Sequence, residues 1–173
     1  MKNIRQGKIL AIDPSSKKTG WALWKSGKYI KSGVLAFDSF GGAVRQCLEV
    51  LDSVSPIDAL VIEDQYYHMN AKTLKVLAEF AAIFKVLVNA RSDKVAIFVI
   101  PPATWQAKML GGGNTKRDER KKRSTLLARM RTGKDRIGED ESDAVNLGEH
   151  FTIYGPYTRT SKKGTGKKSA GRA

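Results

Sequence analysis

Apolar residues come in short runs that alternate with turn formers, then in helical stripes. Lys8 to Asp13, Lys-Ile-Leu-Ala-Ile-Asp, reads as a buried strand ending in an acid. Asp13 to Gly20 is turn chemistry, rich in Pro, Ser, Lys and Gly. Trp21 to Trp24 and Tyr29 to Phe37 give two more strands, joined hairpin-fashion at Ser26-Gly27-Lys28. Val44, Cys47, Leu48, Leu51 and Val54 predict a helix over 41–54, closed by Pro56, with Cys47 as a small core residue. Residues 58–63, Asp-Ala-Leu-Val-Ile-Glu, repeat the pattern of a buried strand with an acid at its end. The longest helix falls at 71–90 and carries two apolar stripes. One holds Leu74, Leu77, Ala81, Phe84 and Val88, the other Val76, Phe80, Ile83 and Leu87. Such a helix is buried on both faces, under a partner subunit or inside its own domain. A fifth strand at 94–100 is stopped by Pro101-Pro102, and Thr104 to Leu110 suits a short helix. Gly111-Gly112-Gly113-Asn114 is a break before a basic helix at 116–131, with Leu126, Leu127 and Met130 expected to face the core. A last helix at 139–153 opens on an acidic cluster, which suits a helix N-terminus. No internal repeat is visible.

The 173 residues suffice for one domain with a real core. One cysteine excludes a disulfide framework and a cysteine-only zinc site, and two histidines leave little for a zinc cluster. No apolar run reaches the roughly 18 residues of a membrane helix. The first strand starts too near Met1 to leave room for a signal peptide, so a reducing cytoplasm is expected. The net charge of +14 is localised. Residues 105–136 hold eleven basic and three acidic side chains, and 156–173 hold six basic and none acidic. The rest is neutral. Two basic patches on a neutral body point to a polyanionic partner rather than a merely solubilising surface. Residues 1–155 are expected to form the domain, and 156–173 a basic, disordered tail.

Acids at the ends of buried strands are costly unless something compensates them. Asp13 and Glu63 are two such acids. Asp140 and Asp143 lie three apart, so a helix puts them on one face. Four converging carboxylates repel one another unless a cation sits among them, and oxygen-only ligands favour Mg²⁺ or Mn²⁺. Two such ions form the standard clamp for phosphodiester hydrolysis. Each acid also has an ordinary reading: a turn residue for Asp13, a strand end for Glu63, helix-start acids for Asp140 and Asp143. Asp64 and Glu141 are read as solvent-facing or supporting groups. His68 reads as incidental and His150 as a surface or capping residue.

Ile12-Asp13-Pro14-Ser15-Ser16-Lys17-Lys18-Thr19-Gly20-Trp21 resembles the opening strand and turn of the RuvC family of Holliday junction resolvases, which usually has glycine where Ser15 stands. Val61-Ile62-Glu63-Asp64-Gln65-Tyr66-Tyr67 resembles the family's second acidic strand end. Asp140-Glu141-Ser142-Asp143-Ala144-Val145 resembles its final acidic motif. The match in order runs from Ile9 to Ile153, and the diffuse sequence and small size look like a bacteriophage member.

The resemblance implies an α/β, RNase H-like fold with a five-stranded mixed sheet flanked by helices. It implies a homodimer that makes paired, symmetric nicks in a four-way DNA junction in the bacterial cell, with Mg²⁺, or Mn²⁺ in its place, as two ions per site. The implied metal ligands are Asp13, Glu63, Asp140 and Asp143, and the 71–90 helix resembles the family's dimer helix. Lys108 falls at one place where the family uses a lysine. The other is to be chosen from Lys121, Lys122 and Arg123, with Lys121 or Lys122 favoured. Tyr66, with Tyr67 beside it, matches an aromatic that stacks on bases at the junction centre. Lys116, Arg117, Arg120, Lys122 and Arg123 complete the expected DNA contacts. Two other readings use the same residues: an RNase H-like nuclease acting on RNA–DNA hybrids or other branched DNA, and a non-catalytic DNA-binding module.

Overall fold

The computed structural model describes residues 3–15, 18–64, 71–92, 94–111 and 115–156, with backbone alone at 71–73. A 3-10 turn at Ile4–Gln6 precedes β1 (Lys8–Asp13), β2 (Lys18–Lys25) and β3 (Lys28–Ala36). Then come α1 (Phe40–Val54), β4 (Ala59–Glu63), α2 (Ala71–Arg91), β5 (Ala96–Ile100), α3 (Pro102–Met109), α4 (Arg117–Thr132) and α5 (Glu139–Tyr154). The five strands form one mixed sheet in the order β3-β2-β1-β4-β5. β1, β2 and β3 run antiparallel, while β4 and β5 run parallel to β1 and β4. This is the RNase H-like fold that the resemblance implied.

Local chemistry explains the turns. Ser26 and Gly27 take φ of 52° and 74°, the left-handed pair a tight hairpin needs. Lys18, Thr19 and Gly20, read from sequence as turn, belong to β2: Gly20 pairs with Asp13 on one side and Val34 on the other. Lys18 and Thr19 pair with Ala36 and Leu35 of β3, and this cross-strand pairing outweighs the turn character of the segment.

Two cores cover the two faces of the sheet. Leu10, Ile12, Leu60 and Ile62 pack against Cys47, Leu51 and Val54 of α1 and Ala81, Phe84 and Val88 of α2. Ile9, Ala22, Trp24 and Val61 pack against Val145, Leu147 and Phe151 of α5, with Trp105 from α3 and Ala128 from α4. The first apolar stripe of α2 thus lies in the chain's own core. In its second stripe Ile83 is buried, Val76, Phe80 and Leu87 are half-covered, and nearby Val86 is 63% exposed.

One orientation departs from the sequence reading. Leu126 and Met130 of α4 are 58% and 75% exposed instead of facing the core. The buried positions are Ser124 and Ala128, with Leu127 partly covered. The reason is that α4 packs on α5 rather than on the sheet. Small residues at that seam permit a close approach, and its polar contacts go to Asn146 and Glu149 of α5. Among the described residues no helix is long and apolar enough to cross a membrane. Of the expected tail only Pro156 lies within the described residues.

Candidate active site

The ends of β1 and β4 set the site. Ile12 pairs with Ile62, so Asp13 and Glu63, the next residue of each parallel strand, reach the same sheet edge side by side. Sites form at this carboxyl edge of α/β sheets. The first turn of α5 comes over that edge beside Gly20, the β2 partner of Asp13. A Cβ at Gly20 would lie 1.8 Å from the carbonyl oxygen of Asp140, so only glycine admits this approach. Asp140 and Asp143 then stand close enough for their charges to act on Asp13.

Asp13 is buried and shares a hydrogen bond with Glu63. Burial, and then the charge and hydrogen bond of Glu63, push the Asp13 carboxyl well above the usual carboxylate range. Glu63 is itself raised by burial, offset by hydrogen bonds from Asp13 and from Trp105, whose indole Nε1 donates at 2.7 Å. Burial pushes Asp143 up to about 7, against the lowering effect of a 2.5 Å hydrogen bond from Ser124 Oγ. Asp140 is raised by burial and by Glu139, and lowered by Lys18 and Lys121.

Two neighbouring acids, Glu139 and Glu141, have cations of their own. Lys121 pairs with Glu139. Glu141, which the sequence left as a solvent-facing or supporting group, is buried, accepts 2.6 Å from Ser32 Oγ and pairs with Lys134. Asp64 is half-buried, and its backbone N–H donates 2.9 Å to the Ile100 carbonyl. Among the described residues no three acids, histidines or cysteines close into a ready-made metal cage. What exists is a hydrogen-bonded carboxyl pair with two further carboxylates acting on it. That all-oxygen donor set fits a hard divalent ion.

Glu63 and Asp143 line a cleft of about 480 Å³ with Pro102, Gln106, Leu110, Arg117, Arg120 and Lys121. Two half-buried carboxylates and three cations lining one cleft suit a phosphate backbone running through it.

No protein-family model matches the chain. Over 122 residues it is 25% identical to the crossover junction endodeoxyribonuclease RuvC of Hydrogenovibrio crunogenus, covering 65% of this chain and 69% of that protein. Among solved structures it is similar to Thermus thermophilus RuvC in complex with Holliday junction substrate. The TM-score is 0.67 and the identity 16%, over 85% of this chain and 93% of the other. In sequence and in fold the chain is thus similar to RuvC. Its fold also matches the fowlpox virus resolvase in complex with junction DNA, at TM-score 0.58 and 16% identity over 84% and 97% of the two chains. The yeast mitochondrial Holliday junction resolvase Ydc2 follows at 0.57 and 10% identity over 85% and 79%. RuvC-like resolvases depend on divalent metal ions, in keeping with the acids of this site.

Not every residue singled out by the resemblance to RuvC reaches the cleft. Lys108 does not line it: its ammonium lies 5.7 Å from the ring centroid of Tyr154. Gln106, two residues earlier on α3, lines the cleft instead. Lys122 faces a groove on the outer side of α4 with Thr125, Leu126 and Arg129. Arg123 is tied to the Leu110 carbonyl at 2.9 Å and to Glu119, so it fastens α4 to the end of α3. Lys116 is exposed just ahead of α4. Tyr66, Tyr67 and His68 lie outside the described residues. His150 is a correction: it is 5% exposed, within α5, because that helix is covered by β1, β2 and α3. Burial, and the nearby Lys108, lower its pKa.

Sequence reasoning missed Trp105, Gln106 and Ser124. Trp105 carried a visible signal, a large aromatic directly after the proline-stopped strand. Ser124 carried none, since a serine within a basic helix reads as solvated surface.

Proposed function

We propose that this chain is a structure-selective DNA endonuclease that resolves four-way junctions by paired, symmetric nicks, acting as a homodimer. The observation that carries the reading is the joining of two features at one sheet edge. Four carboxylates from β1, β4 and α5 meet there, and the cleft they border is faced by Arg117, Arg120 and Lys121 of α4. Duplex-binding modules need the cations but not the buried acids.

Asp13, Glu63, Asp140 and Asp143 are the residues that would hold Mg²⁺, with Mn²⁺ able to replace it, as two ions per site. Bound there, such ions supply an activated water and stabilise the leaving oxygen of an in-line displacement. The chain's own part is to orient and to neutralise. Trp105 fixes one Glu63 oxygen. Arg117, Arg120 and Lys121 hold the phosphate backbone against the acids and offset charge that grows in the transition state. Lys121 takes the role of the functional lysine, and Lys108 stands apart from it unless DNA draws it across. Tyr66 and Tyr67 follow Glu63 directly enough in sequence to stack on bases near the cut. Lys116, Lys122 and the segment 156–173 add sequence-independent affinity for phosphates. The products are a 3′-hydroxyl and a 5′-phosphate.

A two-fold junction suits a two-fold dimer, each site cutting one of two like strands. The half-covered second stripe of α2 supports a dimer face, with Phe40 (55% exposed) and Val86 at its margin. A DNA substrate and a single buried thiol suit the cytoplasm of a bacterial cell, phage-infected or not.

The test is a nicking assay on a synthetic four-way junction beside linear duplex and an RNA–DNA hybrid, with Mg²⁺ or chelator. Symmetric, Mg²⁺-dependent nicks in the junction alone are expected. Cutting of the hybrid instead would move the activity to a ribonuclease. Tight junction binding without cutting would make the chain a binding module.

A further inference from the structure

The cleft-facing cations and a hydroxyl that grips one of the acids belong to the same helix. Ser124 sits in the middle of α4, 2% exposed, and its Oγ is 2.5 Å from Asp143 Oδ1. Its other contact decides the direction. Asn146, fully buried on α5, donates from Nδ2 to Ser124 Oγ at 2.8 Å and to the Ser124 carbonyl at 2.9 Å. A hydroxyl has one proton and two lone pairs; Asn146 donates to the oxygen, and a carboxylate only accepts, so the Ser124 proton goes to Asp143. Asn146 thus sets the rotamer of Ser124, and Ser124 fixes one oxygen of Asp143. Among the described residues nothing else donates to that carboxylate.

We infer that Ser124, oriented by Asn146, is a positioning residue that presents Asp143 to the divalent ion and couples the ion site to the seating of α4 on DNA. The inference rests on the proposed function and deepens it. It follows from where the partners sit. A carboxylate on α5 with a free χ2 could turn away from Asp13 and Glu63, and a fixed donor on the neighbouring helix prevents this. Outer partners of ligating groups are worth about 10–100-fold in metal affinity. Because Arg117, Arg120 and Lys121 are on the same rigid helix as Ser124, a shift of α4 under bound phosphates moves the hydroxyl that holds Asp143. A glutamine or lysine at position 124 would not reproduce this, since Ser124 is buried where α4 packs on α5.

The experiment measures Mn²⁺ binding by calorimetry and by thermal shift on the full chain, for wild type, Ser124→Ala and Ser124→Thr, beside single-turnover nicking across Mn²⁺ concentrations. Ser124→Ala should weaken Mn²⁺ binding about tenfold. Its junction affinity in chelator should match wild type, and its nicking rate should recover at high Mn²⁺. Ser124→Thr keeps the hydroxyl and should stay within about threefold of wild type in ion affinity. Unchanged Mn²⁺ affinity in Ser124→Ala, or an equal loss in a folded Ser124→Thr, overturns the inference. If wild type itself binds no divalent ion, the ion reading of the site falls and this inference with it. Wild-type binding that Ser124→Ala leaves intact overturns the positioning role alone.

Discussion

Gly20→Ala is the sharpest test of the geometry, because it changes no chemical group of the site. A methyl on Gly20 would sit 1.8 Å from the Asp140 carbonyl oxygen and 2.3 Å from its carbon, both backbone atoms with no rotamer to yield. Ordinary contact begins at 3.4 Å, so the start of α5 and β2 must separate by about 1.6 Å. α5 is held elsewhere by buried Val145, Leu147 and Phe151, so the movement concentrates in its first turn, which carries Asp140 and Asp143. Overpacking of this kind costs about 1–3 kcal/mol. At roughly 2–4 °C per kcal/mol, the melting midpoint should fall by several degrees without loss of the fold. The catalytic loss should be larger in proportion, since a displacement of about 1 Å in a reacting constellation can cost about 10²-fold. The assays are differential scanning fluorimetry in chelator and single-turnover junction nicking in saturating Mg²⁺. A Gly20→Ala chain that melts and nicks like wild type would refute the close approach of α5 to β2, and with it the arrangement of the four acids.

Asp13→Asn should abolish nicking while leaving junction affinity within about twofold, by electrophoretic mobility shift; loss of binding as well would mean that the fold had failed. Trp105→Phe removes the 2.7 Å indole bond to Glu63 and should cost about 1.5–3 kcal/mol in transition-state stabilisation, the range for a hydrogen bond to a charged group. Nicking within twofold of wild type would make Trp105 a packing residue only. Asp13 and Asp143 have folded pKa values raised above their unfolded ones, Asp143 to about 7, so the folded chain binds more protons. That stability is present at low pH and lost as pH rises through the folded values. The melting midpoint in chelator should therefore fall between pH 5 and pH 8, and Mn²⁺ should lift it most at pH 8; a midpoint that rises with pH would contradict the burial of these acids. Val76→Glu with Val86→Glu should convert a dimer to a monomer by light scattering with little change in melting, whereas a persistent dimer would place the interface off α2.

The succession of strands along the chain and the two strand-end acids were legible because burial and chemistry coincide there. Ile12-Asp13 and Ile62-Glu63 end apolar runs in charge, and parallel pairing of those runs brings the charges together. The i, i+3 spacing of Asp140 and Asp143 was legible for the same reason, as a helix converts spacing directly into a shared face. What lay beyond reach was set by packing between helices. Leu126 and Met130 read as core because apolar residues usually are, yet α4 meets α5 through Ser124 and Ala128, a seam that small residues mark only faintly. His150 lies on a helix whose outer turns are covered by α3, which no local pattern announces. Lys108 and Gln106 differ by two positions on an eight-residue helix, and which of them faces the acids depends on where α3 lies, set by the burial of Trp105 under Glu63.

The start of α5 holds four acids in five residues, and the fold treats them unequally. Glu139 and Glu141 flank Asp140, and each has a lysine: Lys121 from α4 and Lys134 from the segment before α5. Glu141 is additionally bonded to Ser32 of β3. These two ion pairs pull the first turn from opposite sides, toward α4 and toward β3, and so fix the rotation of α5. Asp140 and Asp143 are thereby aimed between them, at the sheet edge where Asp13 and Glu63 end. The charges of Lys18 and Lys121 lower Asp140. A fold that neutralises Glu139 and Glu141 on either side and brings four other carboxylates toward one sheet edge has built negative charge where an incoming cation would complete it. Of the cleft cations of α4, Lys121 is steadied by Glu139, while Arg117 and Arg120 lie along the cleft where a phosphate backbone would run.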